Sequence, residues 1–227
     1  MTRRVVDLSH PLDVATPPWP GDPWLGIEAV DAIPAAGGAE DPAAHVNVSA
    51  LRIGAHLGTH VDAPAHFFRE GRTIEAVPLE RFVGAALRIG LGVLAPRALI
   101  SRELLAPHEP AIRRLRRVVL DTGWSARWRQ PGYFDAYPAL DAGVAAWLVE
   151  CGVEVVGVDA PSLDYPPHEA HRVLLGAGVL LVENLTNLRA LDRDEFELIV
   201  TPLPLVGVEA SPVRAVAVVD GIPVPGV

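Results

Sequence analysis

The stretch His56-Leu-Gly-Thr-His60-Val-Asp62-Ala-Pro-Ala-His66 places three of the chain's eight histidines and one carboxylate within eleven residues. Imidazole and carboxylate are ligands that divalent ions such as Zn²⁺ and Mn²⁺ take, and no cysteine lies nearby to indicate a structural thiolate site. All four side chains fall on even positions, so an extended strand would put them on one face. A straight strand advances about 3.3 Å per residue and would spread them too far apart for one ion. The segment must therefore bend, and Gly58 and Pro64 are the places for it. A helix would bring His56 and His60 together at i, i+4, as in the helical zinc-protease motif. Gly58, Thr59 and Val61 are poor helix formers, however, and Pro64 would stop a helix soon after. The bland alternative, polar residues of an ordinary surface loop, explains one histidine but not the cluster.

Around this stretch, apolar and β-branched runs recur and strands dominate. Val5 to Leu8 reads as a first strand, followed by a Pro- and Gly-rich loop from Pro11 to Pro23. Further strands are expected at Val46–Ile53, Ala86–Leu94, Val118–Leu120, Val153–Val158, Val179–Val182, Ile199–Pro202 and near Val213–Val219. Helices are expected at Ser101–Leu105 with Ser101 as N-cap, at Asp141–Cys151 opened by Asp141 and closed by Gly152, and around His168–Leu175. No repeat and no long linker divides the chain, which points to a single α/β domain over residues 1–227 with a mostly β core.

Composition excludes several classes. At 227 residues the chain can bury roughly 70–75 % of the surface its unfolded form exposes, enough for one large core without staples. Half of the residues are hydrophobic and 21 % are charged, which argues against disorder. One cysteine cannot form an internal disulfide. The start, Met-Thr-Arg-Arg-Val-Val-Asp, lacks a signal peptide's apolar run, and no apolar run approaches the roughly 20 residues of a membrane span. A soluble, cytoplasmic protein is expected. A net charge of −9 opposes nucleic-acid binding. Arg113, Arg114, Arg116 and Arg117 form the one dense basic run, read as a solvated face or partner contact. All nineteen basic residues are arginine, so Schiff-base lysine chemistry and a P-loop lysine are excluded.

The pattern His-x-Gly-Thr-His-x-Asp-x-Pro-x-His resembles the signature of the cyclase family of metal-dependent hydrolases, which includes bacterial kynurenine formamidases, isatin hydrolases and some polyketide cyclases. Val6-Asp-Leu-Ser-His-Pro-Leu12 is similar to the family's opening strand, Pro17-Pro-Trp-Pro-Gly-Asp22 to its substrate loop and Val182-Glu-Asn-Leu-Thr-Asn187 to its C-terminal metal-ligand segment. The resemblance implies the swivelling β/β/α fold. It also implies two divalent metal ions, Zn or Mn: His56 and His60 on the first, Asp62 bridging, His171 on the second, and Glu183 within reach of both or either. Glu183 directly follows an apolar strand, where a functional group and a solvated terminus are equally natural. The family's spacing of twelve between the last histidine and the glutamate selects His171 and Glu183, while His168 has the wrong offset.

The same resemblance leaves His66 as the proton-transfer group, the alternative being a third ligand or a prop. Trp19, held between prolines, is a candidate substrate contact, with Trp24 close behind it; the alternative is that they plug the core edge or a subunit interface. Cys151 reads as a packed helix-end residue, Ser125 lacks the Gly-x-Ser-x-Gly elbow, and Asp159 reads as turn-forming or supporting. His10 has no chemical role that sequence assigns. The resulting expectation is a binuclear hydrolase that cleaves the C–N bond of a small aromatic amide. An arylformamide of the N-formylkynurenine type, as in tryptophan catabolism, or a cyclic amide would be the substrate. Alternatives are a polyketide cyclase and a metal-binding protein without catalysis. The segment Asp164-Tyr-Pro-Pro-His-Glu-Ala170 differs from the kynurenine formamidase pattern. The resemblance further implies a homo-oligomer, a dimer or higher.

Overall fold

Runs such as Val118-Val-Leu120 and Leu180-Leu-Val182 have no polar face to offer water, and they need positions covered on both sides. A computed structural model of the chain describes residues 3–34 and 45–220. Its strands are β1 (Arg3–Asp7), β2 (Gly26–Asp31), β3 (Val48–Arg52), β4 (His60–Asp62), β5 (Val83–Gly90), β6 (Leu99–Ile100), β7 (Arg117–Asp121), β8 (Ala139–Leu140), β9 (Val155–Val158), β10 (Leu180–Glu183), β11 (Glu195–Ile199), β12 (Ala210–Pro212) and β13 (Val216–Asp220). The helices are α1 (Arg102–Leu105), α2 (Glu109–Leu115), α3 (Ala142–Glu150) and α4 (Glu169–Gly176).

The large sheet runs β1-β13-β11-β5-β7-β9-β10-β4-β12. It is parallel from β5 to β10 and antiparallel on both flanks. Parallel neighbours need crossovers, and the helices supply them: α1 and α2 between β5 and β7, α3 between β7 and β9, α4 between β9 and β10. Alternate residues of the central strands face opposite ways. Ile89, Leu120, Val158 and Leu181 pack under Leu105, Ile112, Leu148 and Leu174 of the helices. Ala86, Val119 and Val182 turn to the other face and share a core with Val6, Val61, Phe196 and Ala217. Val6 and Val61 come from strands near opposite ends of the sheet order, so the sheet curls around this second core. The amide of Thr186 donates to the carbonyl of Leu8 at 2.9 Å, which joins the chain beyond β1 to the chain beyond β10.

The expected elements are largely in place; the short strands β4, β6, β8 and β12 are additions to them, and further corrections concern the following elements. The strand expected at Ile199–Pro202 is instead β11, Glu195–Ile199: its Phe196 and Leu198 are buried while Glu195 and Glu197 are not, an alternation that a purely apolar run does not display. The run expected at Ala86–Leu94 begins at Val83 and ends at Gly90. Strand β2 has all but its last residue exposed and gives no apolar-face signal. Helix α2 lies outside the expected elements; its Pro110 sits in the first turn, where its missing N–H is no loss. The arginine run ends this helix. Arg113 pairs with Glu109 and Arg114 with Glu195, while Arg116 pairs with Glu154, so these side chains form an ion-paired outer face. Asp141 caps α3 by accepting from the amide of Val144 at 2.8 Å, whereas Ser101 makes no side-chain cap to α1.

Candidate metal centre

Only His60–Asp62 of the opening motif is strand, and the bends lie on either side of it. Gly58 has φ +64°, a left-handed conformation that favours glycine, and a Cβ there would also displace the end of the Leu12 side chain. Pro64 starts the single 3-10 turn Pro64–His66. Short strand β4 is wedged between β10 and β12, with His60 opposite Glu183 and Asp62 opposite Ala210. Residues facing each other across an antiparallel pair, and those two apart along a strand, share a face. Thus His60, Asp62 and Glu183 converge. His171 arrives from the buried side of α4, and His56 from the turn before Gly58.

The distances form one connected cluster. His60 Nε2 is 3.4 Å from Asp62 Oδ1 and 3.6 Å from Glu183 Oε2. His56 Nδ1 is 2.9 Å from Asp62 Oδ1, and His171 Nε2 is 3.3 Å from Glu183 Oε1. His66 stacks obliquely on His56, with ring centroids 4.2 Å apart. One donor atom from each of His60, Asp62 and Glu183 lies within 4.8 Å of the others, and the same holds for His56, Asp62 and His66. The six residues expected to hold metal or move a proton are therefore brought together.

Buried polar atoms are ordinarily hydrogen-bonded, and leaving one without a partner costs about 1–3 kcal/mol. Here His60 Nε2, both oxygens of Asp62 and Glu183 Oε1 are buried with no hydrogen-bond partner, and Asp62 is only 1 % exposed. Apart from the His56 contact to Asp62 Oδ1 and the His171 contact to Glu183 Oε1, these atoms face one another, an arrangement that fits a divalent cation. Within the metal-free cluster the carboxylates and imidazoles hold one another in charged form. Burial alone would push the His56 imidazolium down, but the Asp62, Glu209 and Glu183 carboxylates outweigh it and hold its pKa at about 10. Burial likewise opposes His171, and Asp164 and Glu183 hold it at about 10. Burial would raise Asp62; the imidazoles of His60, His56 and His66 prevail and hold it well below the carboxylate range. Burial lowers His66 despite the nearby Asp62.

The cluster lies in a cavity of about 590 Å³ whose lining includes Trp19, Phe67, Trp128, Phe134, His66 and His168. Trp19 stands edge-on to Phe134 and Tyr137. Trp24 is 59 % exposed and does not line this cavity. His10 stacks on Trp128 at 4.1 Å; burial, with help from Arg129, lowers its pKa to about 4. Ser125 Oγ donates to Asp159, and Asp159 also accepts from the amide and hydroxyl of Thr122. Both residues thereby tie down the turn after β7. Cys151 is buried at the end of α3. Sequence reasoning missed two carboxylates. Asp164 Oδ1 is 2.6 Å from His171 Nδ1, and Glu209 Oε1 is 3.2 Å from His56 Nε2. Asp164 lies in the stretch that departs from the formamidase pattern, and Glu209 is a lone carboxylate in a loop, without a local signal.

A curled mixed sheet, helices on one face and a buried His/Asp/Glu cluster in an aromatic-walled cavity define a candidate metalloenzyme of α/β class. Residues 6–165 match the family model named Cyclase. The kynurenine formamidase of Bacillus mycoides (strain KBAB4) is 34 % identical over 220 residues, covering 95 % of this chain and 97 % of its own. That of Salinibacter ruber (strain DSM 13855 / M31) is 35 % identical over 215 residues, covering 93 % and 96 %. This chain belongs to the cyclase family. Among solved structures, isatin hydrolase A from Labrenzia aggregata superimposes with a TM-score of 0.81 at 26 % identity, covering 96 % of this chain and 94 % of that one. An isatin hydrolase bound to the product analogue thioisatinate gives a TM-score of 0.82 at 21 % identity, covering 96 % and 93 %, a likeness of fold.

Proposed function

We propose that this chain is a metal-dependent hydrolase of an amide C–N bond, with an arylformamide of the N-formylkynurenine type or a cyclic amide as substrate. The observation that carries this reading is the set of unpartnered buried donors on His60, Asp62 and Glu183 inside the aromatic-walled cavity. The kynurenine formamidase relatives and the isatin hydrolase A likeness support the choice of bond. His56, His60 and Asp62 would hold one ion, and Asp62, His171 and Glu183 a second, Zn²⁺ or Mn²⁺. When bound, such ions acidify water and polarise a carbonyl oxygen.

The remaining work falls to side chains. The ring nitrogens of His66 make no hydrogen bond among the described residues and the ring lines the cavity. His66 takes a proton from the attacking water as its oxygen bonds to the carbonyl carbon. It returns that proton to the nitrogen as the C–N bond breaks, so that the amine leaves neutral. Trp19, Phe67 and Phe134 offer flat apolar surface for an aryl ring. Turnover of arylformamides and cyclic amides by the metal-loaded chain tests the reading; inertness toward both classes would overturn it. Turnover of cyclic amides alone would remove the formamidase assignment and keep the hydrolase.

The Pro-Trp-Pro setting presents Trp19 at little entropic cost. Trp19→Ala is expected to lower kcat/KM for aromatic amides more than for small aliphatic formamides, measured side by side. An equal loss for both, with metal content unchanged, would assign Trp19 to loop positioning.

We also read residues 1–227 as one cytoplasmic unit that works as a homodimer. No helix among the described residues is long and apolar enough to cross a membrane. Strands β2 and β3 form their own two-stranded sheet, and Ile27, Val30, Val48 and Leu51 on it are exposed, Leu51 by 66 %. An isolated hairpin is marginal in water, and apolar surface of this kind marks a contact. Sedimentation is expected to give a dimer, and a monomer at all concentrations would contradict it.

A further inference from the structure

A neutral imidazole bound to an ion uses one ring nitrogen and carries its proton on the other, and the group that holds that proton decides which nitrogen faces the ion. Each of the three candidate histidine ligands has one nitrogen tied outward. His60 Nδ1 is 2.8 Å from the Gly58 carbonyl oxygen, which can only accept, so the proton sits on Nδ1 and Nε2 faces the cluster. His171 is tied in the same sense: Nδ1 lies 2.6 Å from Asp164 Oδ1, while Nε2 faces Glu183. His56 is reversed. Its Nε2 lies 3.2 Å from Glu209 Oε1, and its Nδ1 faces Asp62.

We infer that Asp164 and Glu209 are positioning residues that fix the ligating nitrogen, Nε2 for His171 and Nδ1 for His56. This rests on the metal-hydrolase reading and deepens it. Asp164 is built for the task. It is buried, its Oδ2 accepts from the His171 amide at 3.1 Å, and its Oδ1 faces His168 Nδ1 at 2.8 Å as well. Asp164, His168 and His171 also have donor atoms close enough for an ion, but the His171 backbone N–H on the same carboxylate marks the trio as donors gathered around one acceptor. Glu209 is placed by the strand pairing that places Asp62: it precedes β12, whose Ala210 lies opposite Asp62, and its carbonyl accepts from the Ala63 amide at 2.9 Å.

The test measures Zn²⁺ affinity by chelator competition for the wild type, Glu209→Gln, Glu209→Ala and Asp164→Asn. Long-range ¹H–¹⁵N spectra of the Zn²⁺-loaded proteins, with histidine labelled, accompany it. In the wild type His56 is expected to carry its proton on Nε2, and His60 and His171 on Nδ1. Glu209→Ala and Asp164→Asn are each expected to weaken metal binding by about 10–100-fold, the usual cost of losing such a partner. Glu209→Gln keeps the one acceptor oxygen that His56 needs and should retain most of the affinity, whereas Asp164→Asn has a single oxygen for the His171 ring, the His171 amide and the His168 ring. Glu209 is half-buried, so its variants test the idea even if Asp164→Asn fails to fold. A wild-type His56 protonated on Nδ1, or a Glu209→Ala protein that binds Zn²⁺ as tightly as the wild type, would overturn this inference alone. A wild type that binds no metal would overturn the metal-hydrolase reading along with it.

Discussion

Asp62→Ala is expected to lose metal from both positions and to lose hydrolysis with it. Asp62 Oδ1 lies against both His56 Nδ1 and His60 Nε2, and Asp62 Oδ2 is buried without a hydrogen-bond partner. Without it, His56 loses its carboxylate link to the cluster, and His60 and His171 are joined only through Glu183, so neither position keeps the ligand they would share. The same substitution should also cost the metal-free fold some stability, because Asp62 is the buried carboxylate against which the His56 imidazolium is paired, and its loss leaves that charge without its nearest partner. Elemental analysis and thermal unfolding of the metal-free protein check the two halves. A full metal complement in the purified variant would remove Asp62 from the shared position, and a collapse of the metal-free fold would make its role structural.

His66→Ala should separate proton transfer from ligation. A positioned acid–base group contributes about 10²–10⁴-fold to rate, so kcat should fall by that order while metal content stays at the wild-type level. The opposite pattern has a geometric basis, since His66 lies close enough to His56 and Asp62 to share an ion with them. Metal lost in proportion to activity would make His66 a ligand.

The site was legible because its chemistry is local. Three imidazoles and a carboxylate in one bent segment cannot be explained by packing, and the breaks at Gly58 and Pro64 fall where the strand ends. The central parallel strands were legible for a similar reason: strands buried on both faces read as unbroken apolar runs. What sequence did not show depends on long-range pairing. Strands β4 and β12 are three residues each, too short for any periodicity, and they exist because β10 and β4 offer them edges. The exposed hairpin strand β2 carries no inward face. Asp164 and Glu209 act only on residues brought to them by α4 and β12, so nothing in their own neighbourhood announces them. His171 and Glu183 were readable only through the family's spacing, and the structure places them on a helix and a strand that meet at the cluster.

The most direct measurement is hydrolysis of an arylformamide and of a cyclic amide by the same preparation before metal removal, after exhaustive chelation and after return of Zn²⁺ or Mn²⁺, with metal content followed at each stage. The expected result is turnover that disappears with the metal and returns with it on at least one substrate class. Turnover that persists at full rate in protein shown to be free of metal would contradict a metal-dependent hydrolase at this site.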